Sequence, residues 1–450
     1  MKFGGTSVGS AERIRAAVEL VRERSARRPL VVVSAFAGVT DRLIRGARLA
    51  LARDPGRGEV LREIRARHED AVRDLLPLGE RRNELLAHVE ALATELGILY
   101  TGVHYLEDLT PRSLDAISAV GERLSVEIVA AAFEAQGLRA RAVDARGLVV
   151  TDDRFGRAMP LLDETGARVR ETLVPLLQKG PVPVVAGFIG STREGVTTTL
   201  GRGGSDWSAA ILGSLLPAEE IQIWTDVDGI LTVDPKLVAG ARAIPEVTFD
   251  EAAELAYFGA KVLHPATIKP AVEKGIPVRI LNSLNPSAPG TLITAEARAA
   301  EGDPRALAFK KGISVILISQ PRMLMAHGFV ARVFEVFARH RTSVDLIATS
   351  EVSISLTVDD PATLPAVEAD LAALGEVRVM RSMAIVSVVG RGFLRRSGLA
   401  GRIFQALSAV NVLMISFGAS DVNVSFVVAE GEAEKAVRLL HHEFFEGGRR

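Results

Sequence analysis

The sequence predicts an α/β fold followed by a smaller, repeated α/β unit, and three observations predict it. The chain has 450 residues, more than one hydrophobic core usually serves. Up to about Thr294, short apolar runs alternate with helical patterns, as a parallel sheet covered by helices requires. Beyond that point an internal repeat sets in.

The first elements follow from spacing. Ile14, Ala17, Val18 and Val21 fall at i, i+3, i+4 and i+7, so the residues after Ser10 form an amphipathic helix leading to the buried-strand run Leu30 to Val33. Further strands are expected at Arg141 to Val143, Leu148 to Thr151, Val182 to Phe188, Ile221 to Trp224 and Val278 to Leu281, each bounded by glycine, proline or polar residues. Glu59 to Leu96 reads as charged helices. After Thr294 the stretch AEARAAEGDPRAL reads as a linker. Then Ser314 to Ser319 reads as a strand, Phe329 to His340 as a helix, Val344 to Thr349 and Ser353 to Val358 as strands, and Ala366 to Leu374 as a helix. Gly328, Arg332, Phe334, Val352, Ser355 and Val358 recur at one constant shift as Gly398, Arg402, Phe404, Val422, Ser425 and Val428. Each copy is too small to bury its sheet alone, so the two are expected to pair. The second copy lacks one strand, which Ala306 to Phe309 is expected to supply by crossing over.

Composition excludes several classes. A formal net charge of -1 argues against a large electrostatic footprint for nucleic acid or an anionic membrane. The chain has no cysteine, so disulfides and thiolate chemistry are out, which fits a reducing cytosol. No stretch approaches the ~18 to 20 apolar residues of a membrane span. A cytoplasmic protein acting on small ligands is expected.

Five features carry chemistry. Lys2-Phe3-Gly4-Gly5-Thr6 places a cation beside glycines whose N–H groups can approach phosphate; a tight glycine turn would read the same way. Leu200-Gly201-Arg202-Gly203-Gly204-Ser205-Asp206 opens a helix, where anions bind and where Arg202 can fork onto a carboxylate, while Asp206 reads equally as the N-cap. Neither loop is a P-loop or a dinucleotide fingerprint. Thr225-Asp226-Val227-Asp228-Gly229 ends a strand, the edge at which open α/β sheets hold ligands, or is a solvated turn. Glu122 lies in an apolar helix and Lys261 in an apolar stretch, each needing a partner: a substrate ammonium and a nucleotide phosphate, or an internal ion pair.

Taken together, KFGGTSVG, VSAFAGVTD, TDDRFGRA, GFIGSTREGVTTTLGRGGSD, WTDVDGI and FGAKVLHPATI resemble the aspartokinases of the amino acid kinase family, and the repeated tail resembles their paired ACT domains, SVDLIATSEVSISL being most similar to the lysine-sensitive monofunctional type. The resemblance implies a three-layer catalytic domain over 1–295 and ferredoxin-like ACT domains over 306–380 and 381–450. It implies phosphorylation of L-aspartate by ATP, with Mg²⁺ carried mainly on the nucleotide phosphates and no protein metal site. Lys2, Arg202 and Asp206 would be catalytic; Thr40, Glu122, Arg202, Gly203, Gly204 and Ser205 would hold aspartate; Lys2, Phe3, Gly4, Gly5, Thr225, Asp226, Leu231, Lys236 and Lys261 would hold the nucleotide. Met323, Ala326, Phe329, Val330, Ser343, Val344, Asp345, Ser350 and Glu351 match the family's effector pocket, and two acidic groups suit lysine as the effector. A homodimer or homotetramer through the ACT domains is implied. Family members carry apolar residues before KFGG, so a central strand is expected to be missing or weakened here. Lys236 stands where Arg is usual, Leu231 replaces a frequent Tyr, and Ala326 replaces the Ser of some lysine-sensitive members. The alternatives are a noncatalytic amino-acid sensor and another amino acid kinase, the paired repeat disfavouring the latter.

Overall fold

A computed structural model describes residues 1–258, 267–296, 302–320 and 327–447. The chain divides into two compact units: Met1–Gly229 with Pro245–Val247 and Leu263–Ala297, and Ile230–Ile244 with Thr248–Val262 and Arg298–Arg450.

In the first unit the strands are β1 (Lys2–Phe3), β2 (Val31–Val33), β3 (Ala140–Val143), β4 (Val182–Ala186), β5 (Ile189–Ser191), β6 (Thr197–Thr199), β7 (Ile221–Thr225), β8 (Glu246–Thr248), β9 (Val278–Asn282) and β10 (Thr291–Thr294). The main sheet runs β3-β4-β2-β1-β7-β9-β10-β8. Its strands from β3 to β9 are parallel, and β10 turns antiparallel. The parallel strands are buried on both faces, which is why β2 and β4 read as unbroken apolar runs. The central strand is present: β1 pairs with β2 on one side and β7 on the other, although it has two residues. Its shortness leaves few backbone bonds to hold Lys2.

Helices α1 (Ala11–Arg22), α2 (Val39–Leu51), α3 (Arg57–Leu75), α4 (Glu80–Leu106), α5 (Pro111–Ser118), α6 (Val120–Ala135), α7 (Leu162–Lys179) and α8 (Gly204–Leu215) belong to this unit. Ser10 caps α1 by accepting from the Arg13 N–H, as its sequence suggests. Thr110 caps α5, whose first residue is Pro111. Leu148 to Thr151 is not a strand: its backbone is taken by isolated bridges from Val150 to Ser191 and from Thr151 to Pro160. Asp206 is not an N-cap either. Gly203, at φ +70°, caps α8, and Asp206 lies in the first turn with its side chain committed elsewhere.

The second unit contains α9 (Phe249–Tyr257), set by a Thr248/Glu251 capping box, and the repeat. Its strands are β11 (Pro304–Ser319), β12 (Ile347–Thr349), β13 (Ser353–Val358), β14 (Glu376–Gly390), β15 (Met414–Ser416) and β16 (Asn423–Ala429), in one antiparallel sheet ordered β12-β13-β11-β14-β16-β15. The long strands β11 and β14 serve both copies. Ala306 to Phe309 pairs with Val389 to Val386, while Ser314 to Ser319 pairs with β13. The crossing is marked by Gly312 at φ +75° and Ser382 at φ +58°. The expected linker is therefore partly strand, beginning at Pro304, a first-residue position where the missing N–H is tolerated. Val344 to Thr349 contributes only β12, because the Asp345 N–H and the Leu346 N–H both turn onto Thr357. One core gathers Ile316, Phe337, Leu356 and Leu371 of the first copy; another gathers Val386, Ile403, Phe426 and Leu440 of the second.

Candidate active site

A cleft of about 530 Å³ lies beyond the carboxyl ends of β1, β2 and β4, lined among others by Lys2, Gly5, Thr40, Asp115, Glu122, Gly201 to Asp206 and Phe188. Two helices begin in its wall at left-handed glycines, Gly38 before α2 and Gly203 before α8, without a side-chain cap. Their free N–H groups give the cleft two anion-attracting ends. A second cavity, of about 340 Å³, is lined by Met1, Leu30 and Ile221 near the amino ends of strands and holds none of the motif residues.

Lys2 and Asp206, far apart in sequence, meet here: Nζ lies 2.7 Å from Oδ1, with side chains only 11% and 14% exposed. An ideal Cβ on Gly4 would stand 3.5 Å from that Nζ. At Gly5 a Cβ would fall 2.8 Å from the carbonyl oxygen of Ala35, so the loop after β1 can lie against the loop after β2 only with glycine there. Gly5→Ala is expected to cost about 1–3 kcal/mol of stability and to lower activity, checked by denaturant melts beside turnover. The Gly4 N–H donates to the Trp224 carbonyl at 3.0 Å, and Ser7 Oγ joins Ser283 Oγ at 2.7 Å. These bonds tie the glycine loop to the ends of β9 and β7. There Thr225 donates to Asp226 Oδ1 at 3.2 Å.

Glu122 is 3% exposed in the first turn of α6. Gly121 permits this placement, since a Cβ there would meet the Ala35 Cβ at 2.8 Å. Its Oε1 accepts the Ala35 N–H at 3.0 Å, while Oε2 has no partner among the described residues. Burial pushes its carboxyl up to about 8, the Ala35 bond opposing. Arg202 is exposed and makes no ion pair among the described residues, leaving its guanidinium free for a ligand. Asp115 escapes sequence reasoning, because an acidic residue in a short amphipathic helix looks ordinary.

The structure does not bring every expected residue to this cleft. Leu231 and Lys236 lie on the 230–244 segment of the second unit, where Val233 joins the core of the second copy and Thr232 meets the buried His441 at 3.2 Å. His441 carried no sequence signal. Lys236 is exposed. Lys261, Met323 and Ala326 lie outside the described residues. Phe329 and Val330 begin helix α10 (Phe329–Arg339); Ser343, Val344 and Asp345 precede β12; Ser350 and Glu351 form the turn to β13. Asp345 is the most committed of them. Tyr257 donates to its Oδ1, Lys310 Nζ lies 3.6 Å from the same oxygen, and Oδ2 has no partner among the described residues. Burial holds its carboxyl above the usual range, the Tyr257 and Lys310 contacts opposing.

The amino acid kinase family model matches residues 1–282, which include the glycine loops, the lysine and the carboxylates that line this cleft. An ACT domain model matches residues 321–369 and 386–444. Aspartokinase 3, chloroplastic, of Arabidopsis thaliana is 40% identical over 461 residues, covering 99% of this chain and 81% of the relative. Lysine-sensitive aspartokinase 3 of Escherichia coli is 37% identical over 465 residues, covering 99% and 98%. The crystal structure of E. coli aspartokinase III in complex with aspartate and ADP, in the R-state, superposes with a TM-score of 0.86 at 37% identity, covering 99% of both chains. Its T-state complex with lysine and aspartate gives a TM-score of 0.81 at 38% identity, again covering 99% of both. The chain belongs to the aspartokinases.

Proposed function

We propose that this chain transfers the γ-phosphoryl group of ATP to the side-chain carboxylate of L-aspartate, giving ADP and 4-phospho-L-aspartate. One observation carries the reading: a buried carboxylate with a free oxygen, Glu122, shares a cleft with the Lys2–Asp206 pair and the two glycine loops. Glu122 takes the substrate ammonium and Arg202 its α-carboxylate, with Thr40 and the backbone of Gly203, Gly204 and Ser205 beside it. The side-chain carboxylate then faces the phosphate held by Lys2, Phe3, Gly4 and Gly5. It is already a nucleophile, so no base is required; catalysis is alignment and charge neutralisation. Thr225, Asp226, Leu231, Lys236 and Lys261 are assigned to the nucleotide. Mg²⁺ would be carried mainly on the nucleotide phosphates with no protein ligand assigned to it, because the cleft carboxylate of Asp206 is already committed to Lys2 at 2.7 Å. When bound, the ion would neutralise phosphate charge. Asp206 meanwhile fixes Lys2. ADP release that depends on both L-aspartate and MgATP tests the reading; ADP release indifferent to aspartate would sink it.

Domain limits of 1–295, 306–380 and 381–450 accompany this reading, as do a cytoplasmic setting and a homodimer or homotetramer. Lysine is the proposed effector. Asp345 offers an unpartnered buried oxygen to an ammonium group, with Glu351 for a second cation. Asp345→Asn is expected to raise the lysine concentration for half-inhibition about tenfold while activity without lysine stays within about twofold. An inhibition curve identical to wild type would remove Asp345 from the effector site.

A further inference from the structure

We propose that Asp115 is a positioning residue for aspartate binding, aiming Arg202 by clamping both sides of the loop that carries it. The inference rests on the assignment of Arg202 to the substrate. Asp115 is 2% exposed on α5, and no ion pair to it occurs among the described residues. Its carboxylate instead gathers three neutral donors. The Gly156 N–H reaches Oδ1 at 3.0 Å and Oδ2 at 2.9 Å, the Thr199 N–H reaches Oδ2 at 2.9 Å, and the Thr199 hydroxyl donates to Oδ1 at 2.6 Å.

Those partners stand on either side of Arg202's approach. Thr199 ends β6, shortly before Gly201 and Arg202. Gly156 belongs to a different loop, and its carbonyl oxygen would stand 3.0 Å from a Cβ on Gly201. The two loops also join directly, the Ala158 N–H donating to the Thr199 carbonyl at 2.9 Å. Arg202 is exposed, so the backbone that these loops hold, rather than side-chain packing, fixes where its side chain starts. Four contacts fill the roughly four acceptor sites of a carboxylate, leaving none for a substrate ammonium. Glu122, with its free oxygen, is built for that contact; Asp115 is built for holding loops. Burial holds the Asp115 carboxyl above its usual range while the Thr199 and Gly156 bonds oppose, so the bonds and the charge are mutually dependent.

The test uses the full chain, with steady-state kinetics and calorimetric binding of aspartate and ATP. Asp115→Asn turns an acceptor into an NH₂ facing N–H donors. It is expected to raise the aspartate KM about tenfold while the ATP KM stays within about twofold. In an Arg202→Ala background it should add no further rise, because both changes remove one interaction. Thr199→Val, which deletes only the hydroxyl donor, should shift the aspartate KM in the same direction by a smaller factor, and Thr199→Ser should restore it. This pair carries the test where Asp115→Asn does not fold. Equal rises in both KM values, a lowered melting temperature with unchanged aspartate KM, or effects that multiply with Arg202→Ala would each overturn the inference. A wild-type chain that binds no aspartate would sink the substrate assignment and this inference together, whereas normal wild-type binding with unaltered variants sinks the inference alone.

Discussion

Lys2→Ala is expected to lower kcat about a hundred- to a thousandfold with ATP affinity changed only severalfold. The transferring phosphoryl group gathers charge that a fixed cation stabilises most in the transition state, so the loss falls on turnover. Lys2 is well placed for this, since Asp206 fixes its ammonium from 2.7 Å in a cleft where both side chains are largely shielded. The substitution also leaves Asp206 unpaired beside the phosphate site, adding repulsion to the loss. Lys2→Arg should recover little, because a planar guanidinium is bulkier than the compact ammonium and cannot occupy the point next to Gly4 that the ammonium fills. Turnover at saturating substrates, measured beside equilibrium ATP binding, decides the matter. A kcat within threefold of wild type would contradict the role assigned to Lys2.

The glycine loops were legible in the sequence because phosphate chemistry constrains backbone, and backbone constraints surface as glycine. Glu122 was legible as a charge in an apolar helix. Lys2 and Asp206 were joined only through the family resemblance, which makes both catalytic, since nothing local links the two residues; the sheet brings the end of β1 beside the first turn of α8. Asp206 was read as a possible cap for the same reason. Leu148 to Thr151 is as apolar as a strand but has no continuous partner, and apolarity reports burial, not pairing. The repeat announced two similar units through Gly328 and Gly398, both left-handed residues opening helices. Its spacing could not reveal that β11 and β14 run through both copies, because strand length depends on neighbours that the repeat does not encode. His441 and Asp115 remained hidden because their meaning lies entirely in distant partners.

Glu122→Gln is expected to raise the aspartate KM about a hundredfold, and the pH dependence of the wild type should reveal the same group. A buried carboxylate facing a cation is worth several kcal/mol less when made neutral, since it no longer offsets the ammonium it contacts. Its carboxyl is pushed up to about 8 by burial, so in the free enzyme it is protonated below that pH and unready for an ammonium. The wild-type kcat/KM for aspartate should therefore fall about tenfold for each pH unit below 8. Saturating aspartate should flatten the dependence, because the bound ammonium pulls the carboxyl down; the other ionisable groups lining the cleft, Lys2, Asp41, Asp115, Arg202 and Asp206, remain in both states. In Glu122→Gln the slope should vanish. Stability runs by the same linkage. The folded carboxyl titrates above its ordinary value of 4.5, so the folded state holds the extra proton, and the stability this confers is full below 4.5 and lost as pH rises through about 8. Ligand-free Glu122→Gln should thus melt above wild type at pH 9, with the gap closing towards pH 5. A pH profile for kcat/KM that is unchanged by the substitution would mean that another group binds the ammonium.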